Sequence, residues 1–245
     1  MKRFILVMLI ISFVYSAFAF DELWQRAQEV AENSWRLVPG LTTMQMSFRT
    51  GRNEMDNMGF VARISHGLAE DNTIYSELLS VVDRDPNSSI NSDDVDLTDL
   101  ESIQEFREFR ELISQMGKDM IPEREGMFFE TNTRNLTVRR TRQERRVNRR
   151  DCQAFDVRYS PTGKRADRVE GTVWIDIERG VPVLAEMQIP MLDQKRSTNI
   201  HYAFDARTNQ FYPSRIEETS TQTYYDVAYS AVMTMTFENY WEFPE

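Results

Sequence analysis

From Met44 onward, apolar residues recur at every second position in one segment after another, and that two-residue period is the signature of β-strands with one face on a core. Met44, Met46 and Phe48 alternate with Gln45, Ser47 and Arg49, and Phe60, Ala62 and Ile64 alternate with Val61, Arg63 and Ser65. Residues 74–82 are apolar at most positions on both faces. Later segments of the same kind are Phe155/Val157/Tyr159, residues 171–177 and 181–189, Ile200/Tyr202/Phe204, and residues 211–217, 224–227 and 229–237. Hairpin chemistry joins several of them: Glu178-Arg179-Gly180, Ser160-Pro161-Thr162-Gly163 and Asp205-Ala206-Arg207-Thr208-Asn209. About ten strands in meander order favour one strongly curved antiparallel sheet or barrel over a parallel α/β fold.

Two stretches carry helical spacing instead. In residues 21–36, Leu23, Ala27, Val30, Ala31 and Ser34 form one stripe with Trp24 and Trp35 on its flank. Asp21 is the expected N-cap, and Pro39-Gly40 stops the helix. The second stretch interrupts the strands at about residues 85–125. A polar loop from Asp85 leads to Leu97, Leu100 and Ile103 on one side of a helical wheel. Phe106, Phe109, Leu112, Ile113, Met116 and Met120 then gather within about 120° on the other side. Thr98 with Glu101 and Ser102 with Glu105 both fit a capping box, predicting a kink near Ser102 and a helix ending at Gly117. Such a helix suits either a mobile lid over a concave sheet or a permanent plug.

The N-terminus reads as a leader. Lys2 and Arg3 precede an apolar run of eleven residues, Phe4 to Val14, and Ala17-Phe18-Ala19 is a small-x-small cleavage pattern. Cleavage after Ala19 predicts a soluble periplasmic protein of 226 residues, enough for one domain over residues 20–245. Losing Lys2 and Arg3 takes the formal charge from −10 to −12, which disfavours nucleic acid as a partner. Cys152 is the sole cysteine, so neither an internal disulfide nor a cysteine metal site can form. It is expected to be an unreactive, half-buried thiol just before a strand.

Catalytic constellations are absent from the sequence. There is no Gly-x-Ser-x-Gly elbow, His-Glu-x-x-His helix or phosphate-binding glycine loop. The two histidines, His66 and His201, read as surface residues at a strand end and on a polar strand face. The acidic run from Asp93 to Glu105 fails as a calcium loop, because Asp99 stands where the sharp turn needs glycine. Helix-dipole stabilisation accounts for the same carboxylates. No cofactor or metal is expected, and the chain reads as a non-enzyme.

Two residue types are unevenly placed. Arg134, Arg139, Arg140, Arg142, Arg145, Arg146, Arg149 and Arg150 stand against Glu144 alone, a local charge of +7 in an acidic chain. They could pair with carboxylates of residues 83–125. Alternatively, Arg139 to Arg150 form a docking patch for phosphate head groups or an acidic partner. Eleven methionines remain after Met1 and Met8, and Met44, Met46, Met187, Met233 and Met235 occupy apolar strand faces. Flexible thioethers fill ordinary cores, and they also suit a surface that repacks around variable guests.

The order of leader, amphipathic helix and antiparallel meander with helices on its concave side resembles the outer-membrane lipoprotein-sorting (lipoprotein-carrier-like) family. Val169-Glu170-Gly171-Thr172-Val173-Trp174-Ile175-Asp176, Gly180-Val181-Pro182 and Phe211-Tyr212-Pro213-Ser214-Arg215 are similar to that family's paired strands. The likeness spans roughly residues 20–83 and 126–245, and the insertion and the arginine run depart from it. It implies an unclosed half-barrel with lid helices, which takes acyl chains of lipids or lipoproteins and releases them to a membrane-associated protein partner. Met44, Met46, Phe48, Phe106, Phe109, Tyr202, Phe204, Met233 and Met235 are the expected pocket lining. A regulatory or sensory envelope module of the same fold, binding a protein partner, is the alternative; a hydrolase with an unrecognised site is disfavoured.

Overall fold

The protein's structure is a computed structural model describing residues 21–50, 58–83, 110–111, 113–115, 127–129, 135–160, 168–191, 194–224 and 227–244. The leader, the Asp93–Glu105 run and most of the expected insertion helix lie outside these residues.

Helix α1 (Glu22–Ser34) starts where Asp21 caps it, the Asp21 Oδ1 accepting the Leu23 N–H at 2.9 Å. Its buried positions are Leu23, Trp24, Ala27, Val30 and Ala31. Trp24, expected on the flank, is instead fully buried, at 0 % exposure like Ala27. The last turn is pinned to the sheet: the Phe211 N–H donates to Ser34 Oγ at 3.0 Å, and the Gln210 side-chain amide donates to the Asn33 carbonyl at 2.9 Å. Strand β1 (Leu37–Val38) follows and pairs with β12 (Trp241–Glu242) in a two-stranded sheet.

The main sheet has ten strands. They are β2 (Leu41–Thr50), β3 (Met58–Leu68), β4 (Ile74–Asp83), β5 (Leu136–Val147), β6 (Arg150–Tyr159), β7 (Val169–Asp176), β8 (Pro182–Met191), β9 (Gln194–Asp205), β10 (Gln210–Tyr224) and β11 (Val227–Glu238). Every neighbouring pair is antiparallel, in the order β4-β3-β2-β11-β10-β9-β8-β7-β6-β5. Among the described residues no strand pairs with the outer edges of β4 and β5, and the sheet is not closed into a barrel. The fold is mainly β with few helices, as expected.

Strand boundaries differ from the sequence reading at several places. β10 runs unbroken to Tyr224, and Tyr224 pairs with Val227 across a two-residue connection, so residues 224–227 are a hairpin end and not a separate strand. β5 is a twelve-residue strand through the arginine run, where no strand was expected. Its side chains alternate polar with polar, which hides the two-residue period. Asn148 (φ 50°) and Arg149 (φ 67°) make the two-residue turn between β5 and β6, and left-handed φ at both centres is the type I′ pattern that matches strand twist. Cys152, expected ahead of a strand, lies inside β6.

Two glycines are required where they stand. Gly180 (φ 71°) ends the β7–β8 turn, in a conformation that a side chain would strain. In β7, a Cβ on Gly171 would lie 2.2 Å from the Glu186 carbonyl and 2.7 Å from Met187 Sδ, so its bareness leaves room for the methionine.

Candidate ligand groove on the inner face

The register places one apolar residue per strand in a single row. Val81, Ala62, Met44, Met235, Ile216, Ile200, Ala185, Val173 and Phe155 are successive cross-strand partners from β4 to β6, and Arg140 of β5 ends the row. Residues directly opposite in antiparallel strands share a face. This inner face is also the one the helices cover. Over β6–β10, α1 packs Trp24 against Phe128 and Phe155 at ring-centroid separations of 5.1 and 5.6 Å, and Phe128 contacts Tyr202 and Phe211. Over β2–β4, Ile113, in a helical turn, is buried with Met44, Ala62, Ile64 and Leu78. Where these two clusters meet, Ile200 at the edge of the first, Met233 and Met235 at the edge of the second, and Ile216 are half-buried.

The expected pocket residues divide between the halves. Met44 is buried in one cluster with Ile113, and Met233 and Met235 pack against that cluster. Met46 is half-buried and stands opposite Met233 and Phe60. Tyr202 and Phe204 pack instead in the cluster under α1, and burial pushes the Tyr202 hydroxyl well above the ordinary tyrosine range. Phe48 is placed by its backbone opposite Ala231. Its side chain, with Phe106 and Phe109, lies outside the described residues.

A parallel row, two residues along, was not recognised from sequence. It runs Phe60, Met46, Met233, Glu218, Thr198, Met187, Gly171, Val157. Glu218 therefore faces inward, where it pairs with Arg196, which lies two residues before Thr198 on β9. Arg196 Nε and Thr198 Oγ1 are buried without a hydrogen-bond partner among the described residues. Each buried, unpartnered polar atom costs about 1–3 kcal/mol. The parity of Arg196 and Thr198 with Ile200 and Tyr202 was the available signal.

Arginines of β5, and Arg150 at the start of β6, form ion pairs within the molecule; most of residues 83–125, the partners expected from the sequence, lie outside the described residues. Arg139 reaches Asp156 (2.5 Å), Arg140 the Asp21 Oδ2 of the α1 cap (3.0 Å), Arg145 Glu186 (3.0 Å) and Arg150 Asp176 (3.7 Å). Arg145 also lies 4.0 Å over the Trp174 ring, whose Nε1 donates to the same Glu186. Arg142, Arg146 and Arg149 are exposed and have no ion pair among the described residues. Arg149 and Arg150 help line an open cleft of about 570 Å³ at the turns, where Glu144, Asp151, Asp176 and Glu178 balance them.

His66 is a correction. It is 5 % exposed, with Nε2 2.8 Å from Thr42 Oγ1 and Nδ1 2.7 Å from Ser76 Oγ, because β3 continues to Leu68 and residue 66 falls in phase with Ala62 and Ile64. Burial lowers its pKa. His201 is partly exposed, near Glu217 at 3.8 Å. Cys152 is fully buried and its pKa is pushed up to about 11, chiefly by desolvation. Among the described residues no helix is long and apolar enough to cross a membrane, and no group of three or more His, Cys, Asp or Glu could hold a metal ion.

No family model matches the sequence, and no curated protein matches it. Solved structures do. A Vibrio parahaemolyticus protein described as an outer membrane lipoprotein-sorting protein domain is 11 % identical, covering 89 % of this chain and 91 % of that one at a TM-score of 0.39. The Pseudomonas aeruginosa MucA/MucB complex matches at 10 % identity, 92 % and 100 % coverage and a TM-score of 0.27. A LolA superfamily protein from Nitrosomonas europaea is 11 % identical to this chain, covering 89 % of it and 92 % of that protein at a TM-score of 0.29.

Proposed function

We propose that this chain is an exported, periplasmic carrier or chaperone that holds a lipid or lipoprotein acyl chain along the inner face of its open sheet, with no catalytic step. The observation that supports this reading is the apolar row across nine strands, covered by the chain's own helices at both ends and half-buried at Ile200, Ile216 and Met235 in the middle. An acyl chain laid there gains about 0.8 kcal/mol per buried CH₂. Met233 and Met235 can repack around guests of different shape. Displacement of the Ile113 turn from Met44 and Leu78 would lengthen the groove toward β4. Native mass spectrometry of the gently purified mature protein tests the reading. A lipid-sized adduct that organic extraction removes is expected; a clean apo mass together with no uptake of a fluorescent acyl probe would overturn it.

A regulatory module that binds a protein partner is the second reading, favoured by β5. That strand has an edge unpaired among the described residues beside Arg142, Arg146 and Arg149, which suits an acidic extended segment. Under this reading, changing these three arginines to Glu abolishes partner binding in pull-downs and leaves acyl-probe uptake unchanged.

A further inference from the structure

The polar interruption of the inner face has a chemistry of its own. Arg196 and Thr198 lie two residues apart on β9, about 7 Å along the strand, and project from the same face. Thr198 stands between Met187 and Glu218, with Met233 beyond Glu218, and Arg196 stands between Ile189 and Ser220 in the next row. The Arg196 guanidinium is held by Glu218 through Nη2, leaving Nε buried and without an acceptor; the Thr198 hydroxyl, in a residue only 9 % exposed, is likewise without a partner. Two buried donors without a partner among the described residues therefore stand at the middle of a largely apolar face.

We infer that Arg196 Nε and Thr198 Oγ1 recognise the carbonyl oxygen of a neutral acyl linkage, the ester or amide that joins an acyl chain to its head group. This rests on the carrier reading and deepens it. A carbonyl oxygen has two lone pairs and can accept from both donors at once. A bare hydrocarbon would leave both unsatisfied. A free carboxylate or phosphate is disfavoured, because Glu218 already matches the Arg196 charge and its own carboxylate faces any incoming anion. The ion pair thus serves as a neutral mount, which holds the guanidinium in place with Nε free.

Two lysophosphatidylcholines with the same sixteen-carbon chain, one ester-linked and one ether-linked, differ by a single carbonyl and isolate the interaction. Their Kd values are read by displacement of a fluorescent acyl probe, below the micellar concentration. The wild-type protein is expected to prefer the ester about fivefold, the value of one ordinary hydrogen bond. Thr198→Val should bring the ratio toward one at unchanged ether affinity, and Thr198→Ser should restore it. Palmitate should bind more weakly than the ester. Equal affinity for ester and ether, or a preference that survives Thr198→Val, overturns this inference and leaves the carrier reading standing. Tighter binding of palmitate overturns the neutral linkage. No binding of any analogue overturns the carrier reading, and the inference with it.

Discussion

Ile113 and Phe128 pack on opposite halves of one sheet face: Ile113 is buried against Met44, Ile64 and Leu78, and Phe128 against Trp24, Tyr202 and Phe211. The strands they cover, β2–β4 and β6–β10, lie on either side of β11. Both residues belong to the connection from β4 to β5, which among its described residues packs on the inner face also through Phe129 and Met127.

Trp24 is the centre of the α1 contact, and its indole Nε1 is buried without a partner among the described residues. Trp24→Ala should cost about 3–5 kcal/mol, the usual range for emptying a large aromatic site. Trp24→Phe keeps most of the ring volume and removes the unpartnered N–H, so it should cost less than about 1.5 kcal/mol. Urea denaturation followed by circular dichroism separates the two outcomes.

Asp21 uses its two oxygens differently, Oδ1 on the Leu23 N–H and Oδ2 on Arg140. Asp21→Ala removes both and should cost about 1 kcal/mol, mostly from the cap. Arg140→Ala removes only an exposed pair and should cost less than about 0.5 kcal/mol. Equal losses in the same denaturation assay would show the cap to be idle.

The Glu218–Arg196 pair is partly buried, with side-chain exposures of 16 % and 36 %. Glu218→Leu leaves Arg196 unmatched on the inner face and should destabilise by about 1–3 kcal/mol, below the cost for a fully buried pair because Arg196 still reaches water. The double variant Glu218→Leu/Arg196→Met should recover most of that loss. A double-mutant cycle measures the coupling directly.

His66 makes stability depend on pH. Its folded pKa is lowered from 6.5 by burial, so the unfolded state binds the proton more readily. The contribution is intact above pH 6.5 and is lost as pH falls below it toward the folded pKa, with a slope of at most about 1.4 kcal/mol per pH unit. His66→Gln should flatten that part of the stability curve, and an unchanged slope would remove His66 as the source.

Cys152 is buried, with its thiol raised to about 11. Its reaction with a thiol reagent at neutral pH should be negligible in the native protein and should follow the unfolding transition in urea. Prompt native labelling would contradict its burial.

Reading alternation recovered most of the strands because their inner faces are apolar and their outer faces polar: Met44, Ala62 and Ile200 oppose Thr43, Arg63 and His201. Where both faces are polar the signal vanishes, and β5 was missed for that reason. His66 was misplaced because a strand end was set at Gly67, whereas β3 continues to Leu68. The nine expected pocket residues were chosen by face alone, and face does not say which half of a ten-stranded sheet a residue occupies. Met44 and Tyr202 share the inner face and yet belong to different clusters.

By itself, the sequence determined local structure: the Asp21 cap, the α1 stripe, the two-residue period and the glycine turn at Gly180, each set by contacts within a few residues. Tertiary structure decided what depends on partners far along the chain. It joined β2 to β11, set β4 and β5 at the two ends of the sheet, and brought Arg196 to Glu218 beside Thr198. Register between strands is fixed by packing and hydrogen bonding across the sheet, and no local period encodes it.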